Sequence, residues 1–281
     1  MRRKNNWLLA LVVGLVLVFS TSLCVAGPRG EKKLTVEQMA QRALDYLEIQ
    51  NVMSRHEYYH TQGTNTDELK EIWVTKAPYT ETATFTMNRG KMIGMKSIIN
   101  NYSVFHDRAS KLQLELINRV RPDIKNIPEN IGVGDLLVHT LTTACIEIAG
   151  DGKTAKGMWY TPGVLASVST TTGKPSGRWI WERYGIDFVK EDGHWKIWHL
   201  FVGTDFQFGI GDKWPKDKEV NPDGVNLVDT EKDGPPPELL AIMPKLDSEA
   251  EFYQEYSSTK VERNVPRPPE PYYTFSETFS Y

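Results

Sequence analysis

The stretch LLVHTLTTACIEI, residues 136–148, opens a series of strand-like runs that decides the fold. TAKGMWYTPGVLASVS (154–169), RWIWERYGIDFV (178–189) and WKIWHLF (195–201) follow it. Each run is rich in β-branched and aromatic residues. The breaks between them are turn formers: Ala149-Gly150-Asp151-Gly152-Lys153, Thr170 to Pro175, and Glu191-Asp192-Gly193. This pattern predicts consecutive antiparallel hairpins. Large aromatics crowd both faces of the strands, more than one interior can hold, so the sheet is expected to curl around a pocket. The fold class is α+β.

Upstream the period changes to that of helices. Thr35 with Gln38 three residues later forms a capping box, opening a helix from Val36 to about Thr61. Met39, Ala43, Tyr46, Ile49, Val52 and Met53 fit one helical face, which continues to His56, Tyr59 and His60. A helical turn is expected over Asp67 to Trp73. A short hairpin, Thr82 to Met87 and Lys91 to Met95, turns across Asn88-Arg89-Gly90. Lys96 to Ile117 reads as a second long helix, and residues 121–134 as a loop.

The two ends differ from this middle. Arg2, Arg3 and Lys4 precede the apolar run Trp7 to Phe19, and Cys24-Val25-Ala26 offers small residues for cleavage, so residues 1–26 read as a secretory signal peptide. Export to a periplasm or exterior follows, or membrane anchoring if the segment stays uncleaved. Residues 27–34 are a charged linker. Residues 209–281 hold ten of the sixteen prolines, with a brief helix expected around Ser248 to Tyr256. They also carry Phe252, Tyr253, Tyr256, Tyr272, Tyr273, Phe275, Phe279 and Tyr281. Aromatics are scarce in disordered tails, so this Pro-rich segment is expected to act as an arm that wraps its own domain or a neighbouring subunit.

Composition excludes several partners. The chain has 33 basic and 36 acidic residues; without residues 1–26 it has 30 and 36, a formal charge of −6. An acidic chain without a basic stripe is a poor fit to nucleic acid or an anionic membrane surface. Cys145 alone remains after the signal, which leaves no intramolecular disulfide.

The element order of residues 35–208 resembles the SnoaL-like branch of the nuclear-transport-factor-2-like (NTF2-like) superfamily, which includes polyketide cyclases, scytalone dehydratase and bile-acid dehydratases. Ile49-x-x-Val52 before a His/Tyr cluster, Gly63 with Asp67-Glu68-Leu69, and His139-Thr140 opening a strand carry the resemblance. Gly157-Met158-Trp159-Tyr160 and Tyr184-x4-Val189-x3-Gly193-His194-Trp195-Lys196-Ile197 complete it. It implies a cone: a strongly curved, mostly antiparallel sheet wrapped around N-terminal helices, with a small apolar ligand in its open end. It further implies a dimer or trimer, no organic cofactor, and dehydration, isomerisation or hydration by acid–base chemistry, or else a non-catalytic binding role. His139 falls where the dehydratases carry a strand histidine as general base, and His56 or Tyr59 falls near their helix tyrosine. Thr61 or Gln62 stands near their helix aspartate, so that acid is missing, and Thr161-Pro162-Gly163 replaces acidic residues of the bile-acid enzymes.

The residues themselves add candidates. A neutral histidine in a semi-apolar cavity suits proton transfer near neutral pH, which places His139, His60, Tyr59, His56 and Asp187 as catalytic candidates. Buried, Asp187 would need Arg183 or a histidine as partner. Tyr58, Trp159, Tyr160, Tyr184 and Trp198 are candidates for ligand contact. His56-Glu57-Tyr58-Tyr59-His60 also matches H-E-x-x-H, in which the histidines hold zinc and the glutamate activates its water. Thr66 occupies the third-ligand position, so no metal is expected; if one binds, His56 and His60 hold it.

Overall fold

The computed structural model describes residues 34–211, 236–250, 256–261, 266–276 and 281. The expected signal segment, and Phe252, Tyr253 and Phe279, lie outside the described residues. By compactness the chain divides into residues 1–40 and 41–281. In the first, the Thr35 amide donates to Gln38 Oε1 at 3.0 Å and the Gln38 amide to Thr35 Oγ1 at 3.2 Å, the reciprocal capping box. Among the described residues no helix is long and apolar enough to cross a membrane.

Helix α1 (Val36–Gln62) is followed by α2 (Asn65–Glu71), α3 (Tyr79–Thr82) and the hairpin β1 (Thr84–Met87) and β2 (Gly90–Ile93). Then come α4 (Met95–Ile98), a π-helical segment (Ile99–Val104) and α5 (Phe105–Val120). The single helix expected over Lys96–Ile117 is thus interrupted. Asn101 Nδ2 donates to the Ser97 carbonyl at 3.0 Å, a side-chain bond that competes with the helical ladder.

Strands β3 (Leu136–His139), β4 (Thr142–Ile148), β5 (Thr154–Val168), β6 (Pro175–Glu191) and β7 (His194–Gly209) form the rest of the sheet. Its order is β2-β1-β7-β6-β5-β3, with β4 also on β5. Every pairing is antiparallel except β1 with β7. The result is a curved, unclosed sheet against helices. The run expected as one strand over 136–148 is two, parted at residues 140–141, and within β4 the register slips between Thr142 and Cys145, where Thr143 takes φ 51°. Such a bulge bends the strand.

The core joins Ile49, Val52 and Met53 of α1 to Trp73, Phe85, Trp159, Ile186, Phe188, Trp195 and Leu200. The helix face begins only at Ile49: Met39 and Tyr46 are exposed. Ser248, expected to start a helix, instead bridges Lys91 at the β2 edge.

Opposite faces of β6 have opposite chemistry, as a two-residue period requires. Glu182, Tyr184 and Ile186 face the helices. Arg183 and Asp187 face outward, Arg183 donating to Asp205 Oδ1 through Nη2 at 2.7 Å. Lys156 Nζ meets Asp187 Oδ1 at 2.6 Å, and His199 Nδ1 meets Asp187 Oδ2 at 2.8 Å. The described parts of the C-terminal arm cover this outer cluster. The Tyr281 amide donates to Asp187 Oδ2 at 3.0 Å, and Lys156 Nζ lies 4.6 Å from the Phe275 ring centre. The Gly150 and Asp151 amides donate to the Tyr272 and Tyr273 carbonyls, each at 2.9 Å. A proline-fixed, extended segment loses little entropy on such docking.

Candidate active site

Helices α1, α2 and α5, the π-helical segment and strands β1, β3, β5, β6 and β7 all contribute to the lining of one cavity of about 130 Å³. An apolar void of about this size accepts a benzene-sized ring. Phe85, Met87, Phe105, Leu137, Ala166 and Val202 supply its apolar walls, while His56, His60, Tyr102, His139, Glu182 and Tyr184 supply its polar end. The π-helical segment carries Tyr102 into it, in keeping with the frequent placement of such segments at functional sites. Helical spacing puts His56 and His60 on one face of α1, one turn apart.

Two hydrogen-bonded groups, joined by one ring stack, run across this polar end. Glu68 Oε1 accepts from Trp73 Nε1 at 2.9 Å and meets His56 Nδ1 at 2.8 Å. Glu68 Oε2 accepts from the Tyr102 hydroxyl at 2.7 Å, and that hydroxyl lies 3.3 Å from His60 Nδ1. His60 stacks on His139 with ring centres 5.4 Å apart. His139 Nδ1 then meets the Tyr184 hydroxyl at 3.1 Å, which donates to Glu182 Oε2 at 3.2 Å. Thr204 Oγ1 holds Glu182 Oε1 at 2.8 Å. Among the described residues, His139 Nε2 and both Glu57 carboxyl oxygens are buried without a hydrogen-bond partner. Glu57 Oε2 stands 3.9 Å from His139 Nδ1, so the buried acid beside the histidine comes from α1 after all.

Burial and charge divide these groups into two sets. Burial alone would depress His56, but the ion pair and hydrogen bond with Glu68, with Glu57 and Glu182 nearby, raise it to about 9. Glu68 is opposed by burial, yet His56 and three hydrogen bonds hold it below the usual carboxylate range. His56 and Glu68 are therefore a fixed ion pair. Burial, with positive His56 behind it, lowers His139 to about 4; burial, His139 and His56 lower His60 to about 3. Burial raises Glu57 to about 8 and, against its hydrogen bonds from Thr204 and Tyr184, Glu182 to about 7. A carboxyl poised at neutrality beside a neutral histidine suits acid–base work.

Of the residues singled out in the sequence, His56, His60, His139 and Tyr184 line the cavity. Tyr58 is 70 % exposed and points away. Tyr59 donates its hydroxyl to Glu71 at the surface. Trp159 is core packing against Phe188, and Tyr160 packs on Trp181, both off the cavity. Trp198 donates to Thr82 Oγ1 and packs on Phe275, and Asp187 takes Lys156 and His199 on the outer face. Glu68, Tyr102, Glu182 and Thr204 join the site without having been singled out as catalytic, and Glu57, read in the sequence only as a zinc-water base, stands beside them. Glu182 was within reach of alternation, two residues from Tyr184 on the same strand face. As for zinc, His56 Nδ1 is engaged by Glu68, and among the described residues no group of three His, Cys, Asp or Glu side chains is placed to hold a metal ion.

A family model for a SnoaL-like domain matches residues 41–200. Among solved structures, a putative scytalone dehydratase from Novosphingobium aromaticivorans is similar at 13 % identity and TM-score 0.44, over 66 % of this chain and 97 % of that one. A hexachlorocyclohexane dehydrochlorinase is similar at 15 % and 0.42, over 62 % and 95 %. An NTF2-like protein from Salmonella enterica is similar at 15 % and 0.40, over 62 % and 99 %. No curated protein matches the chain.

Proposed function

The chain belongs to the SnoaL-like domain family, within the NTF2-like superfamily, and from that premise we propose that it binds a small, largely apolar ring compound and transforms it by acid–base chemistry. The observation that supports this most is His139 at the polar end of a ring-sized cavity, its Nδ1 on Tyr184, its Nε2 beside Glu182 and free of any hydrogen-bond partner among the described residues. A carrier needs only apolar walls; buried titratable groups cost stability unless they are used or paired. Dehydration, hydration or double-bond isomerisation would each need one group to take a proton and another to give one. His139 and Glu182, with Nε2 and Oε2 3.6 Å apart, are placed for these two roles. We further propose that residues 1–26 direct export, which an N-terminus at Gly27 on the secreted protein would support and an intact Met1 would oppose.

The test is incubation with a panel of cyclic hydroxyketones and hydroxylated enones, read by mass spectrometry. Loss or gain of one water, or an isomer of unchanged mass, supports the reading. Ligands that bind without any conversion across the panel would favour a carrier.

A further inference from the structure

Buried and held at about 4, His139 is a weak base for work near neutral pH when considered alone. It is not alone. The Tyr184 hydroxyl stands between His139 Nδ1, at 3.1 Å, and Glu182 Oε2, at 3.2 Å, and it has one hydrogen to give. When Glu182 is ionised, the carboxylate draws that hydrogen, because bonds to a charged acceptor are the stronger ones. The tyrosine oxygen then accepts Nδ1–H of His139, and the lone pair is left on Nε2. When Glu182 is protonated the chain can run the other way: Glu182 donates to Tyr184, Tyr184 to Nδ1, and the hydrogen sits on Nε2.

We propose that His139, Tyr184 and Glu182 form a proton relay in which His139 takes a substrate proton at Nε2 and Glu182 stores it. This rests on the acid–base reading of the same cavity. The substrate's C–H or O–H bond breaks and leaves its electron pair on the substrate. That proton forms a bond to Nε2, the Nδ1 proton passes to the Tyr184 oxygen, and the Tyr184 proton passes to Glu182 Oε2. Nothing is oxidised or reduced. The ring ends neutral in its other tautomer, and the negative charge has moved from Glu182 to the substrate. No imidazolium forms beside positively charged His56.

The surroundings favour Glu182 as the store. From α1 come charged His56, neutral His60 and Glu57, which titrates higher, at about 8. From α2 comes Glu68, ionised and tied to His56. Tyr102 holds its proton, Thr204 on β7 is uncharged, and Arg89, His106 and Asp135 complete the lining. Glu182 itself titrates at about 7. It is a positioning residue in this scheme, because it sets the tautomer of the group that meets the substrate.

The experiment is nitrogen NMR of the full chain labelled at histidine, with carbon detection of the glutamate carboxyls, and it needs no substrate. His139 is expected to stay neutral from about pH 5 to about pH 9. Its hydrogen should move from Nε2 to Nδ1 as pH rises through about 7, with the same midpoint as the Glu182 carboxyl. In Tyr184→Phe the tautomer should no longer follow pH while the carboxyl still titrates. An imidazolium in this range, a tautomer that does not change, unequal midpoints, or a switch that survives Tyr184→Phe would overturn the relay. If Tyr184→Phe does not fold, the two midpoints in the unaltered protein decide. A protein that shows the switch yet converts no compound would keep the relay and sink the enzymatic reading.

Discussion

His56 and Glu68 meet at 2.8 Å with both side chains almost wholly buried, at 3 % and 0 % exposure. A pair of this kind costs desolvation, and removing either partner strands the other charge. Here the carboxylate is also held by Trp73 and Tyr102, so its remaining lone pairs are satisfied. The pair fixes the end of α1 against α2, while burial, with the His56 charge beside it, keeps His60 and His139 neutral.

The raised His56 makes folding depend on pH. A histidine whose folded value lies above its unfolded 6.5 contributes fully below 6.5, and the contribution is lost as pH rises to about 9. His56→Gln should therefore destabilise most at pH 6, on the order of 3 kcal/mol, and least near pH 9. Urea denaturation of both proteins across this range measures it; a constant difference would contradict it.

Glu57 shares the direction of that pH dependence but gives its substitution the opposite sign. Its folded value of about 8 lies above the ordinary 4.5, so ionisation opposes folding increasingly from pH 4.5 to 8. Glu57→Gln keeps the shape and removes that charge. It should be close to neutral at pH 4 and stabilising, by on the order of 5 kcal/mol, above pH 8. Thermal melts at the two pH values read it directly.

The arm is predicted to leave when its seat is blocked. A Cβ at Gly185 would lie 2.4 Å from the Tyr281 ring, on the outer face, away from the cavity. Gly185→Ala should free the arm and speed trypsin cleavage after Lys260 with little change in the core. Lys156→Ala should do more, costing about 3–5 kcal/mol, because Asp187 is left buried with less charge to meet it.

The fold was legible where one period dominated. The hairpins from Leu136 to Gly209, the capped start of α1 and the β1–β2 turn follow from alternation, the Thr35–Gln38 box and turn residues. The π-helical segment and the bulge at Thr143 were not, since each changes the count by one residue without a compositional mark. In the site, His139, His60, His56 and Tyr184 were legible as titratable or aromatic residues on the right faces. Glu57, Glu68 and Glu182 were hidden by type: a charged residue is normally solvated, and only tertiary packing shows which carboxyl is desolvated. Trp159 and Trp198 misled for the converse reason, as large aromatics serve the core more often than a ligand.

Turnover of the cyclic panel by the native chain and by His139→Ala, side by side, tests the central claim most directly. The account predicts conversion by the native chain and a loss of about 10²–10⁴-fold in His139→Ala, the range for removal of a general base, with binding of the same compounds retained. Equal turnover by the two proteins would contradict it.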